Sequence, residues 1–120
     1  MAQHITNSTR IKSAGNKPKL IEEYIGLINS ETNRISIARM KSPKGWSEPG
    51  QTPEFDEYTV VLKGTLYVKT KYSKYEVVEG EAFIADKDEW VQYSTPDEDT
   101  EYISVCTPAF SNDTVNRDAK

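Results

Sequence analysis

The stretch GWSEPGQTPEFDEYTVVLKGTL, residues 45–66, decides the fold of this 120-residue chain. Its second half reads as a strand, a glycine turn and the start of another strand. EYTVVLKG and the following TLYVKTK are rich in Val, Thr and Tyr, residues that suit a pleated, half-buried surface. The rhythm continues downstream. YSKYEVVEGEAFIA gives a short turn, a strand, an EG turn and another strand, and EWVQYST and EYISVCT are separated by the turn-rich PDED. Upstream, KLIEEYIGLIN fits helical spacing at Leu20, Ile21, Tyr24, Leu27 and Ile28, with Pro18 at a permitted helix start. A strand over 24–28 closed by NSETN is preferred, because RISIARM then follows as an alternating hairpin partner. Many short strands at this spacing predict an all-β sandwich or barrel rather than βαβ units.

The length allows one small domain, with roughly two thirds of the unfolded chain's surface buried on folding. Hydrophobic residues make up 36%, enough for one core. Fifteen Lys and Arg stand against nineteen Asp and Glu, a net charge of -4, and the basic residues are scattered among acids. That distribution argues against a nucleic-acid partner. No window approaches the ~18 apolar residues of a membrane span, and MAQHITNSTRIKSAGNKPK lacks the apolar region of a signal peptide. The lone Cys106 cannot form an internal disulfide, which suits a reducing compartment, so a cytoplasmic protein is expected. Residues 1–17 are polar and read as a flexible arm, 18–110 as the folded domain, and 111–120 as a polar, frayed tail.

Glycines and one glutamate are spaced as in a known metal-site signature. The chain resembles a single-domain cupin, a jelly-roll β-barrel (double-stranded β-helix), over roughly 20–110. The family's first motif is G-x5-H-x-H-x3,4-E-x6-G. Here Gly45, Glu57 and Gly64 match, while Gln51 and Pro53 stand in the two histidine places. In the second motif, G-x5-P-x-G-x2-H-x3-N, Gly80 matches. Asp86 and Asp88 take the proline and second glycine places, Val91 the histidine place and Thr95 the asparagine place. FDEYTVVLKGTL is also similar to the pocket strand of the ethanolamine-utilisation cupins, at Asp56, Glu57, Val61, Leu62, Gly64 and Leu66.

The resemblance implies a pocket without the usual metal set of three imidazoles and a carboxylate. The single histidine, His4, lies in the polar arm. No cofactor is expected; a weak divalent cation held by the oxygens of Glu48, Gln51 and Glu57 is the only metal option. If Glu57 points inward as in cupins, alternation turns Thr59 and Val61 inward with it and Tyr58, Val60 and Leu62 outward. Inward Val91 brings Tyr93 to the same face, and Tyr102, Ser104 and Cys106 share one face of YISVC. Trp46 is expected beside the mouth. The candidate ligand-binding residues are therefore Trp46, Glu48, Gln51, Thr59, Val91 and Cys106, with Glu57 and Tyr93 as candidate catalytic residues. Glu54 and Asp56 read as a solvated loop, and Tyr72, Tyr75 and Trp90 as packing aromatics. The expected function is binding or sensing of a small polar molecule; the alternative is a lyase, isomerase or epimerase using Glu57 as general acid or base. A homodimer is expected, with 18–29 adding a strand to a neighbour.

Overall fold

The computed structural model describes residues 1–119. The alternation read from the sequence becomes ten strands: β1 (Thr9–Arg10), β2 (Leu20–Ile25), β3 (Ser36–Ser42), β4 (Trp46–Ser47), β5 (Asp56–Lys63), β6 (Thr65–Thr70), β7 (Lys74–Val78), β8 (Ala82–Ala85), β9 (Val91–Thr95) and β10 (Thr100–Thr107). There is no helix among the described residues. One sheet has the order β1-β2-β3-β10-β5-β8 and the other β4-β9-β6-β7, with antiparallel pairing throughout. The expected jelly roll is present, but the two sheets are not hydrogen-bonded into a closed barrel.

Gly64 shows why the opening stretch controls the architecture. β5 and β6 are adjacent in sequence yet lie in different sheets, and Gly64 makes the crossing at φ 82°. A Cβ there would lie 2.6 Å from the Asp99 carbonyl oxygen and 2.7 Å from Thr100 Oγ1, so glycine is required on two counts. Asp88, in the place where the family has glycine, also holds a left-handed conformation at φ 68°, which aspartate tolerates better than most residues.

The core lies between the sheets. Trp46, Val61, Leu66, Val68, Val77, Ala85, Val91, Tyr93 and Tyr102 form one buried cluster drawn from both. As alternation requires, Thr59 and Val61 are buried, whereas Tyr58, Val60 and Leu62 are 40–45% exposed. These three join Ile84, 61% exposed, on the outer face of the larger sheet. Cross-strand pairs Tyr58↔Ile84, Tyr58↔Val105 and Val60↔Ile103 make that face a continuous apolar surface.

Three expectations need correction. The first strand of the β2–β3 hairpin is Leu20–Ile25 rather than 24–28. It stops at Gly26 because the buried Glu23 carboxylate accepts the amides of Ile28 (3.0 Å) and Asn29 (2.8 Å), fixing a loop where the longer strand would run. The arm is not loose over its second half. Thr9 and Arg10 pair with Glu23 and Glu22, the Ile11 amide donates to the Ile21 carbonyl at 3.0 Å, and the Asn16 amide donates to Ser47 at 2.9 Å. Its polar residues are hydrogen-bonding groups turned on the domain, so low hydrophobicity did not mean disorder. β1 also occupies part of the edge of β2 through which a neighbour would have added a strand.

The tail is likewise packed. Val115, 2% exposed, sits in a second cluster with Phe55 and Cys106. The Asp118 amide donates to the Gly50 carbonyl at 2.8 Å, and Trp90 Nε1 donates to Asp118 Oδ2 at 2.8 Å.

Candidate functional site

The inward face of the larger sheet does not fill completely. It leaves a cavity of about 60 Å³, lined by Lys19, Glu48, Gln51, Glu57, Thr59, Tyr93, Tyr102, Ser104, Cys106 and Arg117 among others. Pairing explains the grouping. β5 and β10 are neighbours with Glu57 opposite Cys106 and Thr59 opposite Ser104, so their inward residues form one patch. Lys19 precedes β2 and keeps its alternation, facing the cavity with Ile21 and Glu23.

Glu57 is held from two strands. The Ser104 hydroxyl donates to Oε2, and the Tyr93 hydroxyl donates to Oε1 at 3.3 Å. Lys19 Nζ donates to the Tyr102 hydroxyl at 3.1 Å and lies 3.6 Å from Met40 Sδ. It also stands 4.1 Å over the centre of the Trp46 ring, a cation–π arrangement. Tyr102 in turn meets Ser42 Oγ at 2.9 Å.

Loss of water governs the electrostatics. Desolvation pushes the Glu57 carboxyl above its ordinary value, opposed by the hydrogen bond from Ser104, by Lys19, by Tyr93 and by Arg117. Glu48 moves the same way, again mainly through desolvation, with Glu57 adding to the rise and Lys19 and Arg117 opposing it. Desolvation alone would lower Lys19, but the Tyr102 oxygen and the carboxylates of Glu48 and Glu57 outweigh it and hold the ammonium protonated. Desolvation and the two carboxylates keep Tyr93 a neutral phenol, hence a donor. Cys106 is pushed up by desolvation and by Glu57, so its thiol is a poor nucleophile.

Six of the residues singled out in the sequence meet in this cavity: Glu48, Gln51, Glu57, Thr59, Tyr93 and Cys106. Two do not. Trp46 is fully buried in the core rather than beside the mouth, because β4 turns it inward and its indole N–H donates to the Ala14 carbonyl at 3.1 Å. Val91 packs in the same core, with only its backbone paired to Gln51. Lys19 and Arg117 went unrecognised. Extending the β2 alternation by one inward position would have found Lys19. Arg117 carries no local signal, since it arrives through the tail.

No protein-family model matches the chain. It is 40% identical over 93 residues to an endoribonuclease YbeY of Myxococcus xanthus, covering 77% of this chain but only 32% of that protein, so it spans about a third of the relative's length. Among solved structures it is similar to the Clostridium difficile EutQ protein, at 26% identity and TM-score 0.65, covering 77% of this chain and 64% of that one, just under two thirds of it. It is also similar to the polyketide cyclase RemF from Streptomyces resistomycificus, at 18% identity and TM-score 0.75, covering 100% and 87% of the two chains. These neighbours share the cupin fold, and this chain is a cupin-fold protein.

The residues present do not suit the metal that this fold often carries. The histidine places hold a buried amide, a buried proline and a core valine, and His4 is exposed on the arm. Among the described residues no group of three or more His, Cys, Asp or Glu side chains could hold a metal ion. The oxygens of Glu48, Gln51 and Glu57 do share a cavity, but they share it with the Lys19 ammonium, which repels a divalent cation at short range.

A pH dependence follows from the raised carboxyls of Glu48 and Glu57, which face Lys19, Arg117, Tyr93 and Cys106. Each exceeds its ordinary value of 4.5 in the folded state. Between that value and the folded one, the native protein binds protons that the unfolded chain has released, so stability falls as pH rises. Melting temperatures recorded as pH rises above the ordinary 4.5 should therefore decline through the contribution of these groups. Glu57→Gln cannot ionise and should flatten the slope; an unchanged slope in that variant would place Glu57 outside the effect.

Proposed function

We propose that this chain binds a small polar molecule in the cavity between its sheets, with Glu57 as the group that meets it. The observation that carries this reading is the Glu57 carboxyl, oriented by Ser104 and Tyr93 at the wall of a cavity that also holds Glu48 and Lys19. Stability alone does not call for such a set. Well-packed apolar residues of similar volume often serve a scaffold equally well or better than buried charges, and perturbed titratable groups gathered in a cleft are the usual mark of a site. The net charge of -4 and the size of the cavity favour a small ligand over RNA. The ribonuclease name belongs to a relative of which this chain matches a third, and nothing in the cavity supports carrying that activity over.

A second reading, catalysis of a lyase, isomerase or epimerase type, is favoured by one feature. A carboxyl raised above its ordinary range, beside a neutral phenol donor, is suited to proton transfer near neutral pH. The similar fold of an enzyme, the polyketide cyclase, is consistent with this.

A melting-shift screen of small polar compounds, followed by titration of each hit against Glu57→Gln, tests the reading. Binding should weaken by about tenfold or more, since a charge-assisted hydrogen bond contributes ~1.5–3 kcal/mol, while stability should hold or rise slightly. A clear loss of stability with binding intact would make Glu57 a scaffold residue.

We further propose that a second copy of the chain covers the apolar outer face of Tyr58, Val60, Leu62 and Ile84, since a monomer seldom leaves such a contiguous surface in water. Light scattering at micromolar concentration should give twice the 13.6 kDa chain mass, and Ile84→Lys should halve it; a monomer before substitution would overturn the dimer.

A further inference from the structure

We propose that the Lys19 ammonium is the anchoring cation of the cavity, supplying the positive charge that a metal supplies elsewhere in this fold, and that the molecule it anchors is a small organic anion, a carboxylate of a few non-hydrogen atoms. This deepens the binding role proposed for the cavity and rests on it.

The geometry leaves the ammonium with capacity to spare. Of its three protons, one is directed to the Tyr102 hydroxyl at 3.1 Å and one to the weak acceptor Met40 Sδ at 3.6 Å. The face of Trp46, 4.1 Å from Nζ to the ring centre, fixes its position without consuming a donor. The one ion pair among the described residues is Arg39–Glu101, so Glu48 and Glu57 act on Lys19 across the cavity rather than in contact with it. An acceptor placed in that gap meets the third ammonium proton. Arg117 adds a second cation to the lining, and its Nε is buried without a hydrogen-bond partner.

The lining carries charges of both signs, Lys12, Lys19 and Arg117 with Glu23, Glu48 and Glu57. Desolvation raises the carboxyls of Glu48 and Glu57 above their ordinary value, which lessens their repulsion of an anion. The cavity, about 60 Å³, has room for a small molecule. Ala14 and Ile11 of the arm form part of its walls, and displacing them would admit something larger.

The test uses the full chain and an isosteric pair of probes, glycolate and its neutral counterpart glycolamide. Both are titrated while the Trp46 indole N–H and the Ser104 amide are followed by NMR. Glycolate should move both signals saturably and bind about tenfold or more tightly than glycolamide, as expected for a charge-assisted contact. Lys19→Met should bring glycolate down to the level of glycolamide, and Lys19→Arg should retain most of the preference. Should Lys19→Met fail to fold, the ratio of the two probes on the native chain and on Lys19→Arg still decides the matter. Equal binding of the two probes, or a preference that survives Lys19→Met, overturns the role of Lys19 while leaving a cavity that binds polar molecules. No response to either probe counts against both the anion and the binding role itself.

Discussion

Everything about this cavity depends on one constraint: a buried carboxyl, Glu48, and the half-buried Glu57 and Lys19 are drawn away from water and must balance one another there. An isolated buried charge is prohibitive, so each group survives through partners or through neutralisation. Glu57 uses both routes, accepting hydrogen bonds from Ser104 and Tyr93 and rising in pKa. Lys19 relies on Tyr102, on the Trp46 ring and on the field of the two carboxyls. Lys19 links the two carboxyls: each of them raises its pKa, and it opposes the rise of each. That is the physical sense in which the site is a unit.

The two ends of the chain complete this unit, which is why they are ordered. Ala14 accepts the Trp46 indole hydrogen bond and lines the cavity, so the arm fixes the ring beneath the ammonium and forms a wall at the same time. On the other side, the backbone of Arg117 bridges to Gln51 while the side chain reaches the cavity, with Val115 buried as the tail's anchor. The sandwich supplies Glu57, Tyr93, Tyr102 and Ser104; the termini supply much of the rest. Positive charge in the lining comes from side chains, Lys19 from just before β2 and Arg117 from the tail among them.

The fold was legible because its signals are local. Strand alternation in DEYTVVLK, the turn at Gly64 and the spacing from Gly45 through Glu57 are properties of short segments, and the structure keeps them. About half the cavity was legible for the same reason: once Glu57 faces inward, Thr59 on its own strand and Tyr93 across the sandwich follow from alternation. What could not be read depends on long-range contacts. Polar residues in 8–17 look like disorder until Ser47 and Ile21 are known to accept their amides. Trp46 looked like a mouth residue because its loop is near the motif, but the direction of β4 turns it into the core. Arg117 is distant from Gln51 in the chain, and no sequence pattern links the two.

Glu57 and Lys19 should titrate as one coupled system. The most direct test is the carbon-13 NMR titration of the Glu57 side-chain carboxyl in the native chain and in Lys19→Met. The midpoint should lie above the ordinary 4.5 in the native chain, because desolvation outweighs its partners. It should rise further in Lys19→Met, because the opposing positive charge is gone. A Glu57 that titrates at its ordinary value, unmoved by the loss of Lys19, would contradict the coupling.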